Sequence, residues 1–497
     1  MRTSRHFLDW ENQPSAFKVY RDLEPIPLPR DFREREVPAL RAISQTPESG
    51  AQAGSERIPD LASLARVLYL SAGITKRRRH GGGETAFRAY PNTGALYHVD
   101  LYLVAGELLD LEAGVYHFGP QDFALRRLRQ GDWRGVLVEA SGENPDLARA
   151  PVIIASASTY WRNSWKYQAR AWRHCFWDAG TLHANLLAAA AGDGLEPRVI
   201  LGWADRPVER LLGLDPWREG ALTLVALGRS RGSPPAAPDV PELRLETEPL
   251  SAGEVDYPEI RVAQAVSSLA DGAEAADWRS SIAIRDDPES YTPQVRLQLP
   301  EQGELPREPL DQVIRRRGST RAFDRSCSLS LEQLSTLLDR ATRGVPADFL
   351  EPPGASLLDL YLIVNAVDGL AAGAYHYRRR DRSLGLLREG QFREEAGRLG
   401  LGQELPADAS VNIYSLIDLP RVLERFGNRG YRAAQLEGGI TGGRMYLAAY
   451  AQRLGATGLT FFDDEVTQFF SPHAAGKSVM FLIALGYPDR AALGLAS

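Results

Sequence analysis

The chain contains itself twice, and a sequence built this way must fold as two similar units before any other property is considered. Asp100-Leu101-Tyr102-Leu103-Val104 aligns with Asp359-Leu360-Tyr361-Leu362-Ile363 at an offset of 259, and the offset persists without a gap over the next eighty residues. It pairs Gly114-Val115-Tyr116-His117-Phe118 with Gly373-Ala374-Tyr375-His376-Tyr377, and Gly131-Asp132-Trp133-Arg134 with Gly390-Gln391-Phe392-Arg393. It also pairs Arg170-Ala171-Trp172-Arg173 with Arg429-Gly430-Tyr431-Arg432, and Asp178-Ala179-Gly180 with Glu437-Gly438-Gly439. Two copies of one fold in one chain describe a covalent version of a homodimer, and their differences should reveal which copy kept which part of a shared site.

A length of 497 residues exceeds one ordinary core and agrees with two domains. Hydrophobic content of 44% and charged content of 25% belong to a globular chain, and a net charge of −6 gives no reason to expect nucleic acid or an anionic membrane as partner. The basic run Lys76-Arg77-Arg78-Arg79 is local, and reads as a solvated loop or a substrate-facing patch. The two cysteines, Cys175 and Cys327, are not equivalent in the repeat, so a disulfide framework is not expected. Residues 1–6 enter no apolar segment, and the greasy stretch Ala184 to Ala191 is too short to span a bilayer. The expected location is the cytoplasm.

The organisation expected is an N-terminal arm over 1–55 without a counterpart, a first domain over 56–231, a Pro- and acid-rich linker over 232–305, and a second domain over 306–497. Leu61-x-x-Leu64-x-x-Val67-Leu68 and Leu331-x-x-Leu334-x-x-Leu337-Leu338 have helical spacing. Strand-like runs follow at Leu101 to Val104 and Leu360 to Val364, then hairpins over 115–128 and 374–387. Long helices are expected over 178–191 and 437–454, and apolar closing strands over 221–227 and 479–485. Strands and helices without strict alternation indicate an α+β class.

Several motifs fail on inspection. Ser471 to Ser478 resembles the end of a phosphate-binding loop, but it lacks the first glycine and feeds a strand instead of a helix. His80-Gly81-Gly82-Gly83 resembles an esterase oxyanion loop, yet no Gly-x-Ser-x-Gly elbow accompanies it. No Gly-x-Gly-x-x-Gly follows a strand, and the eight histidines have no metal-ligand spacing.

The chemistry-bearing segment opens the second copy. In Arg315-Arg316-Arg317-Gly318-Ser319-Thr320-Arg321-Ala322-Phe323, alternation puts Arg317, Ser319 and Arg321 on one side of an extended segment. Two guanidinium groups and a hydroxyl suit a phosphate monoester; the plain alternative is a solvated basic turn.

Arg-x-Ser-x-Arg-x-Phe followed by a Leu-x-x-Leu helix resembles the flavin-binding opening of the nitroreductase superfamily. Pro91-Asn92-Thr93-Gly94-Ala95-Leu96-Tyr97 resembles a segment of its SagB/ThcOx branch, the azoline dehydrogenases of ribosomal peptide biosynthesis. Gly114 to Phe118, and Lys166-Tyr167 ahead of Arg170 and Arg173, are similar to that branch too. The resemblance implies two tandem nitroreductase-like domains forming an intramolecular pseudo-dimer, with FMN at their interface. The phosphate cradle would be Arg317, Ser319 and Arg321 of the second copy, and the facing loop Pro91, Asn92, Thr93 and Gly94 of the first. The second copy has only the shortened Pro352-Pro353-Gly354-Ala355, and the stretch Pro47-Glu48-Ser49-Gly50-Ala51 has no arginine, so one site is complete and the other dismantled.

The resemblance also assigns Glu437-Gly438 to the flavin ring and Lys477 to the phosphate, although Lys477 equally reads as an exposed lysine. Lys166 and Tyr167 become the catalytic pair, replaced in the second copy by Arg425 and Phe426. Removing hydride and proton from an azoline needs a base, and a lysine in a dry site can act as one because desolvation disfavours the cation. Asn92 in place of serine, His98 in place of proline and Gly318 in place of a basic residue depart from the pattern. The implied activity is FMN-dependent dehydrogenation of an azoline-type ring in a peptide or small modified natural product, with reoxidation by oxygen and a cyclodehydratase or synthetase partner. The alternatives are an NAD(P)H-dependent nitro- or quinone reductase and a flavin-free scaffold of a biosynthetic complex.

Overall fold

Two seven-stranded antiparallel sheets, each laid beside a long buried helix, form the computed structural model, which describes residues 6–44, 55–81, 83–280, 294–301 and 303–489. In the first sheet the order is Ile26–Pro27, Ala124–Gln130, Gly114–Gly119, Val99–Ala105, Val152–Thr159, Glu219–Leu227, Arg198–Ile200. The second sheet repeats it as Gln294–Arg296, Ser383–Glu389, Gly373–Arg378, Asp359–Val364, Val411–Ile417, Ser478–Gly486, Gly455–Gly458. The α+β pseudo-dimer is what the internal repeat requires.

Helix Leu61–Ala72 starts on Asp60, whose side chain accepts from the Ser63 N–H at 2.7 Å. Its counterpart Leu331–Ala341 starts with a capping box between Ser330 and Gln333. Both caps satisfy amide groups that the first helical turn leaves open. The long helices run over Ala171–Gly192 and Arg429–Ala451, beginning well before the residues expected from the sequence. They are buried on nearly every face, and such a helix carries little amphipathic period to mark where it starts.

Equivalent residues meet one another where these two helices cross. Gly180 faces Gly439, and a Cβ on Gly180 would lie 2.5 Å from the Leu436 carbonyl oxygen. A Cβ on Gly439 would lie 2.4 Å from the Trp177 carbonyl oxygen, so only glycine permits this backbone approach. Trp172 stacks on its own counterpart Tyr431, with ring centroids 5.7 Å apart and an interplanar angle of 5°. Contacts between equivalents define a pseudo-twofold axis. Around it, Arg429 and Arg432 of the second copy reach Asp205 of the first at 2.6 Å each, and Arg170 and Arg173 of the first reach Asp463 of the second. The repeated arginines are therefore interface residues.

The N-terminal arm does have a counterpart, contrary to the sequence reading. Ile26–Pro27 is the edge strand of the first sheet, as Gln294–Arg296 is of the second. Pro38 bridges Pro309, with Ala39 N–H donating to the Glu308 carbonyl and Leu310 N–H to the Val37 carbonyl, both at 2.9 Å. This part of the repeat keeps a different offset from the rest and little identity, which hid it. The segment between the copies is more than a tether, since it forms helices Pro258–Val266 and Gly272–Arg279 before supplying that edge strand. Residues 47–51 and Gly82, named in the sequence analysis, lie outside the described residues. Among the described residues no helix is long and apolar enough to cross a membrane.

Candidate active site

A cavity of about 640 Å³ opens between the copies and is walled by both. The first contributes Pro91 to Ala95, Lys166, Tyr167 and Asp178, and the second Arg317, Ser319, Arg321 and Thr457 to Thr460.

Segment 317–321 leaves its helix at Arg317, with φ −53° and ψ 139°. Thr320 turns inward and its N–H donates to the Ala456 carbonyl at 2.9 Å, while residues 317, 319 and 321 line the cavity. Arg317 is buried, and donates to the carbonyls of Ala89 at 3.1 Å and Arg88 at 3.3 Å, both in the first copy. Burial lowers its pKa from the ordinary arginine value, opposed by the hydroxyls of Tyr446, Tyr97 and Tyr450. Among the described residues no carboxylate pairs with it. A buried cation held only by carbonyls favours an anion in the cavity. Ser319 Oγ lies 3.2 Å from Tyr446 Oη, and Arg321 is exposed at the cavity wall.

The facing loop is organised by one carboxylate. Asp178 accepts from the Thr93 N–H at 3.0 Å, Thr93 Oγ1 at 2.9 Å and Asn92 Nδ2 at 2.9 Å. His98 Nε2 lies 2.7 Å from Asp178 Oδ2, and its Nδ1 lies 2.8 Å from Ser158 Oγ. Asn92 Oδ1 in turn accepts from the Tyr97 N–H at 2.7 Å. Asn92 and His98, two separate departures in the sequence, thus form a single hydrogen-bonded unit with Asp178. Gly94 has φ +67°, and a Cβ there would come within 3.0 Å of Tyr167 Oη, so glycine serves both the turn and the fit.

Lys166 and Tyr167 end helix Tyr160–Tyr167, which Gln168 terminates abruptly at φ +51°. The Tyr167 ring packs edge-on against His174, with centroids 4.7 Å apart. Burial, with Asp178 nearby, pushes the Tyr167 hydroxyl up to about 12, so it remains a proton donor at neutral pH. Lys166 is half-buried, its Nζ 5.5 Å from the Tyr167 ring centroid. Among the described residues it has no carboxylate partner.

Three expected residues lie elsewhere. Glu437 is buried in the second copy, where Oε2 accepts from the Leu357 N–H at 2.9 Å beside a void of about 10 Å³, room for roughly one water. Gly438 packs beneath Met480 and Phe481. Lys477 is held by Asp359 at 2.6 Å, an ion pair that occupies its charge away from the cavity. None of the three lines the cavity between the copies. Asp178, the counterpart of Glu437, stands in the open cavity instead.

The second pseudo-equivalent corner is filled. Asp348 accepts from the N–H groups of Leu201 and Gly202, both at 2.9 Å, on the segment that follows edge strand Arg198–Ile200. Trp278 from the inter-copy segment packs on Phe426 at 5.2 Å between centroids and donates to the Phe426 carbonyl at 2.8 Å. The corresponding segment after Gly455–Gly458 borders the open cavity, and among the described residues the Thr460 N–H has no acceptor. An unclaimed amide, an unneutralised buried arginine and a volume within the roughly 300–1,000 Å³ of ligand pockets fit a flat, anionic cofactor.

A cavity built between two repeated α+β domains, with donors at one end and a lysine–tyrosine pair in its wall, has the architecture of the nitroreductases. The Nitroreductase family model matches residues 60–229 and 314–487, more than half of the chain, which belongs to that family of oxidoreductases. A solved structure from Anabaena variabilis, provisionally named a nitroreductase, is similar at TM-score 0.76 and 26% identity over 97% of this chain and 96% of its own. The trifolitoxin-processing protein TfxB of Rhizobium leguminosarum bv. trifolii is 30% identical over 166 residues, covering 32% of this chain and 44% of its own. The microcin B17-processing protein McbC of Escherichia coli is 26% identical over 133 residues, covering 26% of this chain and 49% of its own. The matches thus span just under half of these two processing proteins.

Proposed function

We propose that the chain binds one FMN in the composite cavity and dehydrogenates an azoline-type ring in a peptide or small modified natural product. The observation that carries this reading is the buried, unneutralised Arg317 of one copy facing Lys166 and Tyr167 of the other across one cavity. Arg317, Ser319 and Arg321 would hold the phosphate, Pro91 to Gly94 would form the opposing wall, and the Thr460 N–H would meet an acceptor on the ring system. Bound there, FMN would supply a hydride acceptor, with dioxygen as terminal oxidant. The azoline ring loses one hydride and one proton. The Lys166 amine takes the proton, and the protonated Tyr167 hydroxyl orients the ring by hydrogen bonding. Asp178 holds the loop that shapes the wall.

The processing names of TfxB and McbC support a peptide-derived substrate, and we propose with it a cyclodehydratase or synthetase partner and a cytoplasmic location. The provisional name of the Anabaena structure favours a second reading, NAD(P)H-dependent reduction of a nitro or quinone compound. The test is incubation with a thiazoline-containing peptide in air, read as loss of two hydrogens by mass and release of hydrogen peroxide. Conversion that requires Lys166 is expected. Flavin reduction by NADPH without azoline turnover, and unchanged in Lys166→Ala, would establish the reductase instead.

A further inference from the structure

We infer that the hairpin Ile74–His80 and Gly83–Arg88 is a recognition element for a carboxylate-bearing substrate, with Lys76 and Arg78 as its gripping residues. The inference rests on the proposed cofactor reading, in which the second-copy arginines are engaged by the cofactor phosphate. Register separates the two faces of the hairpin: Arg79 lies opposite Glu84 and Arg77 opposite Ala86, whereas Arg78 lies opposite Thr85 and Lys76 opposite Phe87. On the outer face Glu84 neutralises both arginines, at 2.6 Å from Arg77 and 3.6 Å from Arg79. On the other face Lys76, Arg78 and Phe87 line the cavity, and among the described residues no carboxylate pairs with either cation. Lys76 and Arg78 are exposed at the cavity wall without the acid that the outer face carries.

The cavity wall supplies no substitute. Its one carboxylate among the described residues, Asp178, is already engaged by Thr93, Asn92 and His98. Lys76 and Arg78, two residues apart on one strand face, stand about 7 Å from each other. That spacing suits two carboxylates, or one carboxylate and a neighbouring carbonyl, and an aromatic floor at Phe87 lies beside it. Charge-assisted contacts of this kind are the strong ones, and they set partner choice as well as affinity.

The test uses the purified full chain and two hexapeptide probes, one carrying two aspartates and the other asparagines at those positions. Flavin content is measured first, then each probe is titrated against the visible spectrum of the bound flavin. The aspartate peptide is expected to bind at least about tenfold more tightly, with an advantage that shrinks as salt is raised. In Lys76→Gln/Arg78→Gln the advantage should vanish while flavin content stays at the wild-type ratio. Equal affinities in the wild type would overturn the inference. Loss of flavin from the double variant would overturn it too, by assigning these cations to the cofactor phosphate. A wild type without flavin would defeat the cofactor reading alone; the aspartate preference is then read from tryptophan fluorescence, Trp177 being in the cavity wall, and its absence overturns the inference.

Discussion

Arg317→Ala is expected to yield a colourless protein that folds. The guanidinium is a buried cation of the cavity wall, hydrogen-bonded to the carbonyls of Arg88 and Ala89 and set over the Tyr446 ring, and among the described residues no carboxylate pairs with it. Hydrogen bonds to charged groups contribute roughly 1.5–3 kcal/mol each. Losing two from a phosphate amounts to about 3–6 kcal/mol, which is about 10²–10⁴-fold in FMN affinity. The same side chain ties Arg88 and Ala89 to the second copy, so part of any effect could pass through the seam between domains. Arg317→Lys separates the two: it keeps a charge but not the fork that spans both carbonyls, and should recover FMN only in part. Flavin absorbance after purification and FMN titration of the apoprotein measure this. Full colour in Arg317→Ala would remove the cradle assignment.

The second large effect is expected at Lys166. Lys166→Ala should keep its flavin, since the residue belongs to the copy opposite the phosphate cradle, and lose turnover by about 10²–10⁴-fold, the range of a general base. Tyr167→Phe should cost less, because the ring and its packing on His174 survive. The pH dependence distinguishes the two roles. With its pKa pushed up to about 12, the Tyr167 hydroxyl stays protonated throughout an ordinary assay range and should produce no limb in the pH–rate profile. A limb between about pH 6 and 10 that disappears in Tyr167→Phe would contradict that assignment.

The parts of this site that alternate or repeat were legible in the sequence. Arg317, Ser319 and Arg321 stood out because an extended segment shows one face at every second residue, whereas Pro91 to Gly94 stood out only through their resemblance to a family segment. The interface was written into the repeat itself, although Trp172, Gly180 and their counterparts could be recognised as axis residues only once they were seen to touch. Thr460 could not be found in advance. A backbone N–H offered to a ligand leaves no mark on residue type. A Glu-Gly pair carries the same letters whether it faces a cavity or a packed helix crossing, and the ion pair of Lys477 joins it to Asp359, distant in sequence, so the placement of Glu437 and Lys477 outside the cavity lining left no local mark. Asp348 escaped notice for the same reason: its partners Leu201 and Gly202 come from the other copy. The departures at Asn92 and His98 stood apart in the sequence, whereas their shared partner Asp178 gives them one structural purpose.

The claim underlying all of this is that a duplicated fold retains one working site, open beside Arg317 and closed by Asp348 and Trp278 at its pseudo-equivalent. The most direct measurement is the visible spectrum of the purified chain reconstituted with excess FMN and freed of unbound cofactor, with flavin quantified against protein. One FMN per chain is predicted. A ratio near two would mean that the second corner opens to bind cofactor, and a ratio near zero that the composite cavity is not a flavin site; either result contradicts the account.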